Sequence, residues 1–451
     1  MAEREEQLNV PAPSGYSANF SASVLKKQTI PPSGPKSKKH ESRLGLPEFK
    51  WSLSLVGLCI YSFAIITFKF PVAQLGIALA VTGLFTGRDP VSMPLPVKLF
   101  AAYFLWALIT VVISPFSGEA FDAWTERIKL FVIMLIIANT LQSAGQLRFY
   151  LLFILVCFLL FPARGTLVGG DSIQGRAVWN FVYANPNDLA LLSFLAFGIA
   201  LAIAFSESRW TFARLGATLG AIILLVVILK TQSRGVMVGL LVTTAPSFIP
   251  MLLKQLRLAI GVAIVLALIA NFAVPQKLWD RLATMQKLAN VEKIQEEGAQ
   301  NTADSSSAER YEILKVGWKI FLDNPIFGVG IGAYPLANNK YAPELGARDT
   351  HNTYLNLAAE LGVPGLLIWI TMVGSILRQS HRMRRLAKDG PTKIQQYWLE
   401  RTMIGFLVAA IFGSYSKQNF LYVMWSILWC SSMVHAKESP RPTHYTGTGR
   451  V

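Results

Sequence analysis

The chain has 451 residues, 53% of them hydrophobic and only 15% charged, with a formal net charge of +16 and a mean hydropathy of +0.42. Because the apolar residues come in long runs, this balance excludes a soluble globule. None of the runs alternates with the period of two that a β-barrel strand needs, so helices that cross a membrane are expected.

Residues 1–50 are polar and rich in Pro, Ser and Lys, with no cleavable signal pattern, and read as a basic, disordered cytoplasmic tail. Apolar runs near 52–68, 71–86, 98–114, 127–142, 149–163, 187–206, 213–230, 235–253, 257–275, 353–377, 401–416 and 418–436 then predict about twelve crossings. The expected fold is all-α, a polytopic membrane bundle. Helices 1–9 fill 51–275, a large outer loop with short helices spans 276–352, and helices 10–12 fill 353–436 around a basic cytoplasmic loop at 378–400. A cytoplasmic tail, 437–451, closes the chain. Cys59, Cys157 and Cys430 all fall inside apolar runs and read as packing residues.

An even number of crossings puts both termini on one side, and basic residues say which. The N-terminal tail carries Lys26, Lys27, Lys36, Lys38, Lys39, Arg43 and Lys50, and the loop after 377 carries Arg378, Arg382, Arg384, Arg385 and Lys388. Both are therefore expected in the cytoplasm. Much of the net charge is explained as topology facing an anionic membrane, and no nucleic-acid partner is expected. Arg164, Arg176, Lys230, Arg234 and Arg310 then fall outside or at outer helix ends, where orientation gives no reason for them. They are candidates for function.

The first outer region reads "GGDSIQGRAVWNFVYANPNDLALL". Asn185, Asn187 and Asp188 stand at a helix start with Pro186, as good caps do. Trp179, Phe181 and Tyr183 alternate with polar residues, which suits an interfacial belt or a sugar-stacking surface. Next, Arg234 stands in "KTQSRGVMVG" at the outer start of a span.

In the large loop, "TADSSSAE" reads as a Ser-rich break, after which Ile313, Val316, Gly317 and Ile320 mark one face of a surface helix over 308–322 headed by Arg310. Gly328, Gly330 and Gly332 in "DNPIFGVGIGAYP" permit a tight backbone path. They are weak evidence for phosphate binding, since no strand precedes them. Arginine's planar, permanently charged fork suits a pyrophosphate, and Arg234 and Arg310 can point into one outward-facing cavity; headgroup anchoring is the alternative for each.

His351, in "RDTHNTYLNLAAELGVPG", stands where the loop gives way to a span. It can be a general base, oriented by Asp349 or Asn352, or simply part of a helix cap. No second His or Cys lies near it for a metal site. Glu360, costly inside a span unless paired, is expected to brace an arginine.

Taken together, "GRAVWNFVYANPNDLA", "TQSRGVMVGLL", "ERYEILKVGWKIFLDNPIFGVGIGAYP" and "HNTYLNLAAELGVPGLL", in that order over about 164–375, resemble the O-antigen ligase and polymerase superfamily of bacterial membrane glycosyltransferases. The resemblance implies about a dozen helices, a periplasmic loop holding the active site, and transfer of a glycan from undecaprenyl pyrophosphate to an acceptor, without metal or cofactor. It places catalytic roles on Arg234, Arg310 and His351. Arg176, Asn185, Asn187 and Tyr354 are the accompanying substrate-binding candidates. The family usually has Ser before the second arginine, where this chain has Glu309. The implied partners are the lipid-linked donor, a lipid A-core or other glycan acceptor, and membrane lipids. A ligase, a polymerase of lipid-linked repeats and a protein O-oligosaccharyltransferase share this donor chemistry, and a lipid-linked glycan transporter is the non-enzymatic competitor. A transporter is expected to show internal repeats, and none is evident.

Overall fold

A computed structural model of the chain describes residues 49–67, 72–87, 90–207, 211–255, 257, 260–261, 302–387 and 390–438. Nearly all of the predicted N-terminal tail, the predicted span 257–275, the first part of the predicted loop and the C-terminal tail lie outside the described residues.

The helices, in chain order, are α1 (Leu53–Thr67), α2 (Ala73–Thr86), α3 (Leu95–Ile113), α4 (Ser117–Thr140), α5 (Ala144–Phe158), α6 (Arg164–Gly169), α7 (Pro186–Ser206), α8 (Phe212–Thr231) and α9 (Arg234–Lys254). After the undescribed stretch come α10 (Thr302–Asp323), α11 (Tyr334–Tyr341), α12 (Thr353–Leu386), α13 (Pro391–Ala409) and α14 (Asn419–Glu438). Every predicted span other than 257–275 falls on one of them. Among the described residues, six helical segments are long and apolar enough to cross a membrane: Leu95–Ile113, Ala144–Gly169, Pro186–Ser206, Phe212–Thr231, Arg234–Lys254 and Thr353–Leu386. Helix α7 is the centre of the bundle, buried along almost its whole length and packed between α8 and α13.

Several boundaries differ from the sequence reading, each for a local reason. The helix that begins at Ala144 does not stop at residue 163. It passes through a π-helical turn, Leu159–Ala163, and continues as α6. Pro162 lies in that turn, where a widened helix accommodates the missing N–H. Helix α12 continues past 377 to Leu386, so most of the predicted basic loop 378–400 is helical. Arg384 Nε and Nη2 there donate to the buried Glu400 at 3.2 and 3.1 Å, and Ser380 Oγ adds a bond of 2.9 Å. The Ser-rich "break" is itself helical, since α10 runs through it. Arg310 is thus inside that helix rather than at its head. As expected, Ile313 and Ile320 are buried on its inner face.

One two-stranded hairpin interrupts the all-α pattern. β1 (Ser172–Ile173) pairs antiparallel with β2 (Arg176–Ala177) across Gln174 and Gly175, both with positive φ, as a tight hairpin turn needs.

The chain after α10 folds onto a break in α12. Gly362, at φ 67° and ψ −174°, interrupts that helix just before Pro364 and frees its carbonyls. The glycine loop fills them: Val329 N–H donates to Ala359 O and Gly330 N–H to Glu360 O, both at 2.9 Å, and Trp106 Nε1 donates to Leu361 O at 2.8 Å. A Cβ on Gly328 would collide with the Glu360 carbonyl. The Gly-x-Gly-x-Gly pattern is therefore a close-approach clamp on a broken helix. Glu360 does brace an arginine: its carboxylate lies 3.5 Å from Arg127 of α4, with side-chain exposures of 3% and 13%.

Candidate functional site

The α8–α9 turn, the hairpin and the start of α7 form one hydrogen-bonded unit. Gln232 ends α8 in the left-handed region (φ 53°) and donates to Gly175 O at 3.0 Å. Arg176 Nε donates to Thr231 O at 2.8 Å, filling a carbonyl left open at the end of α8. Arg176 Nη2 also donates to Asn187 Oδ1 at 2.7 Å, and Ser233 Oγ donates to the same oxygen at 3.1 Å. Asn187 thus ties Arg176 to the residue immediately before Arg234, the first residue of α9. Asn185 caps α7, accepting from Asn187 N at 2.9 Å, as its sequence context predicted.

His351 is held from both sides. The cap of α12 is Asn352, whose Oδ1 accepts from Tyr354 N and Leu355 N at 3.0 Å. Thr350 Oγ1 shares a 2.9 Å hydrogen bond with Ser414 Oγ, and Thr353 Oγ1 donates to Gly413 O at 2.6 Å. Between these pinned neighbours His351 takes a left-handed backbone (φ 52°), uncommon for a side-chain-bearing residue and frequent at functional sites. Neither orienting partner expected from the sequence is used in that way: Asn352 caps the helix, and Asp349 pairs with Lys417 at 2.9 Å.

Arg310 and His351 lie within electrostatic range of each other. Burial first, then the charge of Arg310, holds the His351 pKa below its usual value, with Arg348 adding to this and Asp349 and Glu309 opposing it. Burial likewise lowers the pKa of Arg310, whose fork nonetheless stays charged at neutral pH. The buried Tyr415 lies in the fields of Asp188, Arg310 and Arg176. Burial raises the Tyr415 pKa, and it remains a neutral hydroxyl. Glu309, the departure from the family pattern, lies 3.3 Å from Arg348 and links α10 to the segment that carries His351.

The structure therefore brings Arg176, Asn187 and the Arg234 turn together, and puts Arg310 within electrostatic reach of His351. The Tyr354 hydroxyl donates to Leu407 O at 2.7 Å. Its ring, with Tyr311, Trp318, Phe321 and Leu366, lines an apolar cavity of about 600 Å³ between α10 and α12, next to Asn352. Trp179 and Tyr183 are buried packing residues, and Phe181 alone of the three aromatics is exposed.

Sequence reasoning missed Lys417 and Tyr415. Both lie in the connection between α13 and α14, most of which had been read as span, with Tyr415 inside 401–416 and Lys417 alone between 401–416 and 418–436. Helix α13 ends at Ala409, and a 3-10 turn, Ala410–Phe412, leads into that connection. The available signal was the run "GSYSKQN", too polar for a bilayer core. Among the described residues, no three His, Cys, Asp or Glu side chains converge as a metal ion would require.

The O-antigen ligase family model matches residues 219–370, from within α8 to within α12. This segment is an O-antigen ligase family domain. It contains Arg234, Arg310 and His351, while Arg176, Asn187 and Lys417 come from outside it. The apolar helices, together with this match, mark the chain as a multi-pass helical membrane protein. No curated protein matches the chain. A chain in the solved structure "Structural coordination of polymerization and crosslinking by a peptidoglycan synthase complex" is similar at 16% identity over 76% of this chain and 97% of that one. Its TM-score of 0.42 is too low to bear on function.

Proposed function

We propose that the protein is an O-antigen ligase-type glycosyltransferase of the bacterial inner membrane. It moves a glycan from undecaprenyl pyrophosphate to an acceptor hydroxyl, on lipid A core or a related glycan, at the periplasmic face. The observation that carries this reading is a left-handed, partly buried His351 within electrostatic reach of Arg310, both inside the matched O-antigen ligase segment.

A neutral imidazole takes the proton of the acceptor hydroxyl as that oxygen attacks the anomeric carbon. The carbon–oxygen bond to pyrophosphate breaks, and attack from the opposite face inverts the configuration. Negative charge grows on the leaving undecaprenyl pyrophosphate, and Arg234 and Arg310 bind it more tightly as it departs, which lowers the barrier. In this reading the guanidiniums do the work that a metal ion does in many phosphate-handling enzymes. The apolar cavity beside Asn352 takes the first isoprene units of the carrier, so that the pyrophosphate falls near His351.

In the proposed topology both termini are cytoplasmic and the 276–352 segment is periplasmic. Helix α12 supports it, since it starts next to His351 and ends with Arg384 and Arg385 in its last turn. A polymerase joining lipid-linked repeats uses the same donor chemistry, and the deletion strain separates the two. Full-length polymer left on the carrier lipid is the expected result; single repeats accumulating there would make the protein a polymerase. An unchanged lipid-linked pool would refute both.

A further inference from the structure

Besides Arg176, the site includes a second cation from outside the matched family segment. Lys417, in the 413–418 connection, holds its ammonium 2.9 Å from Asp349 Oδ2. Side-chain exposures of 50% and 33% mean that this ion pair adds little stability. Other bonds hold the connection in place: Thr353 Oγ1 to Gly413 O, Tyr415 N to Thr353 Oγ1 at 3.0 Å, and Tyr422 Oη to Ser416 O at 2.8 Å. The ion pair is therefore free to exchange without moving the backbone. Lysine, a compact ammonium on a flexible stem, suits such an exchange.

Asp349 is two residues before His351, and its charge already acts on the imidazole, as do those of Arg310 and Glu309 from α10 and Arg348 from the same segment. Asp188, hydrogen-bonded to the neighbouring Gln418, also lies in the field of the Lys417 ammonium.

We infer that Lys417 is a third donor-binding cation, stored on Asp349 in the empty protein and transferred to the donor's pyrophosphate on binding. The freed Asp349 carboxylate then accepts a hydrogen bond from one ring N–H of His351, which leaves the other nitrogen to take the acceptor's proton. Lys417 thus contributes to binding, and Asp349 is a positioning residue. The inference rests on the proposed function for the identity of the donor.

The test uses the full chain in detergent with Lys417→Gln, Lys417→Arg and Asp349→Asn. It measures KM and kcat for lipid-linked donor at saturating acceptor, and the inhibition or binding constant of inorganic pyrophosphate. Lys417→Gln is expected to weaken pyrophosphate and raise donor KM about tenfold with little change in kcat, and Lys417→Arg to restore most of this. Asp349→Asn is expected to do the opposite to binding, tightening pyrophosphate about threefold because Lys417 is no longer held back, while kcat falls about tenfold. A purely structural ion pair would shift both variants in the same direction, or neither, and either result overturns the exchange. Pyrophosphate binding is read without turnover, so opposite shifts with no transfer from this donor would uphold the exchange and reject the donor assignment.

Discussion

Glu360→Gln removes a charge from the junction that holds the segment carrying His351, and almost nothing else. Glutamine keeps the size of the side chain and the oxygen that accepts from Asn356 Nδ2 at 3.2 Å. What it leaves behind is the Arg127 guanidinium, 13% exposed among α3, α4, α12 and α14 without its carboxylate. Breaking a buried ion pair from one side costs about 3–5 kcal/mol, a large part of the roughly 5–15 kcal/mol that holds a typical domain together. The thermal unfolding midpoint of purified protein should fall by several degrees, and transfer should fall with it, since Glu360 lies in the same turn as the α12 break that the glycine loop clamps. Adding Arg127→Met to Glu360→Gln removes the stranded charge and should recover most of the lost stability. A Glu360→Gln protein as stable as the parent, or a double variant no better than the single one, would refute the argument.

Asn187→Ala unties Arg176 and Ser233 at once and should lower transfer by about tenfold or more without loss of membrane insertion, measured as product per unit of purified protein. With its pKa lowered by burial and by Arg310, His351 stays neutral to a more acid pH than free histidine, so the acid limb of the transfer rate should lie below pH ~6.5. Arg310→Gln should move that limb upward. By linkage, the stability that His351 contributes is present above pH ~6.5 and lost as pH falls through its lowered value, which a pH series of unfolding midpoints against His351→Gln would show. A cysteine at Glu344, an exposed position in the predicted periplasmic loop, should react with a membrane-impermeant maleimide added outside intact inner membranes; labelling only after lysis would invert the topology. Chelation of purified protein should leave transfer intact, and a loss reversed by added divalent metal would contradict charge neutralisation by arginines.

Much of the architecture was legible because bilayer length and apolar runs constrain helices strongly: spans such as 187–206 and 213–230 fall within a residue or two of α7 and α8. Caps were legible too, as at Asn185, because the side-chain chemistry is local. The sequence was opaque where long-range partners decide. The glycine loop reads as a generic turn until the break at Gly362 supplies the carbonyls that it fills. Glu360 announced a partner by its cost in a membrane, yet Arg127, more than two hundred residues away, could be named only from the packing. His351 was visible as chemistry, whereas its surroundings were not: Asp349 turned out to be held by Lys417, from a connection hidden between two spans. The α10 boundary failed because Ser-rich composition was read as a breaker, although serine costs a helix only a few tenths of a kcal/mol per residue.

The most direct test of the central claim is a single-turnover assay with purified full-length protein, lipid-linked glycan donor and excess acceptor, comparing His351→Ala and Arg234→Ala with the parent. The account predicts that His351→Ala binds donor with near-parental affinity but forms product at least about a hundredfold more slowly, as loss of a general base requires, and that Arg234→Ala loses both donor binding and rate. Product formation by His351→Ala within a few-fold of the parent would contradict the assignment of His351 as the base.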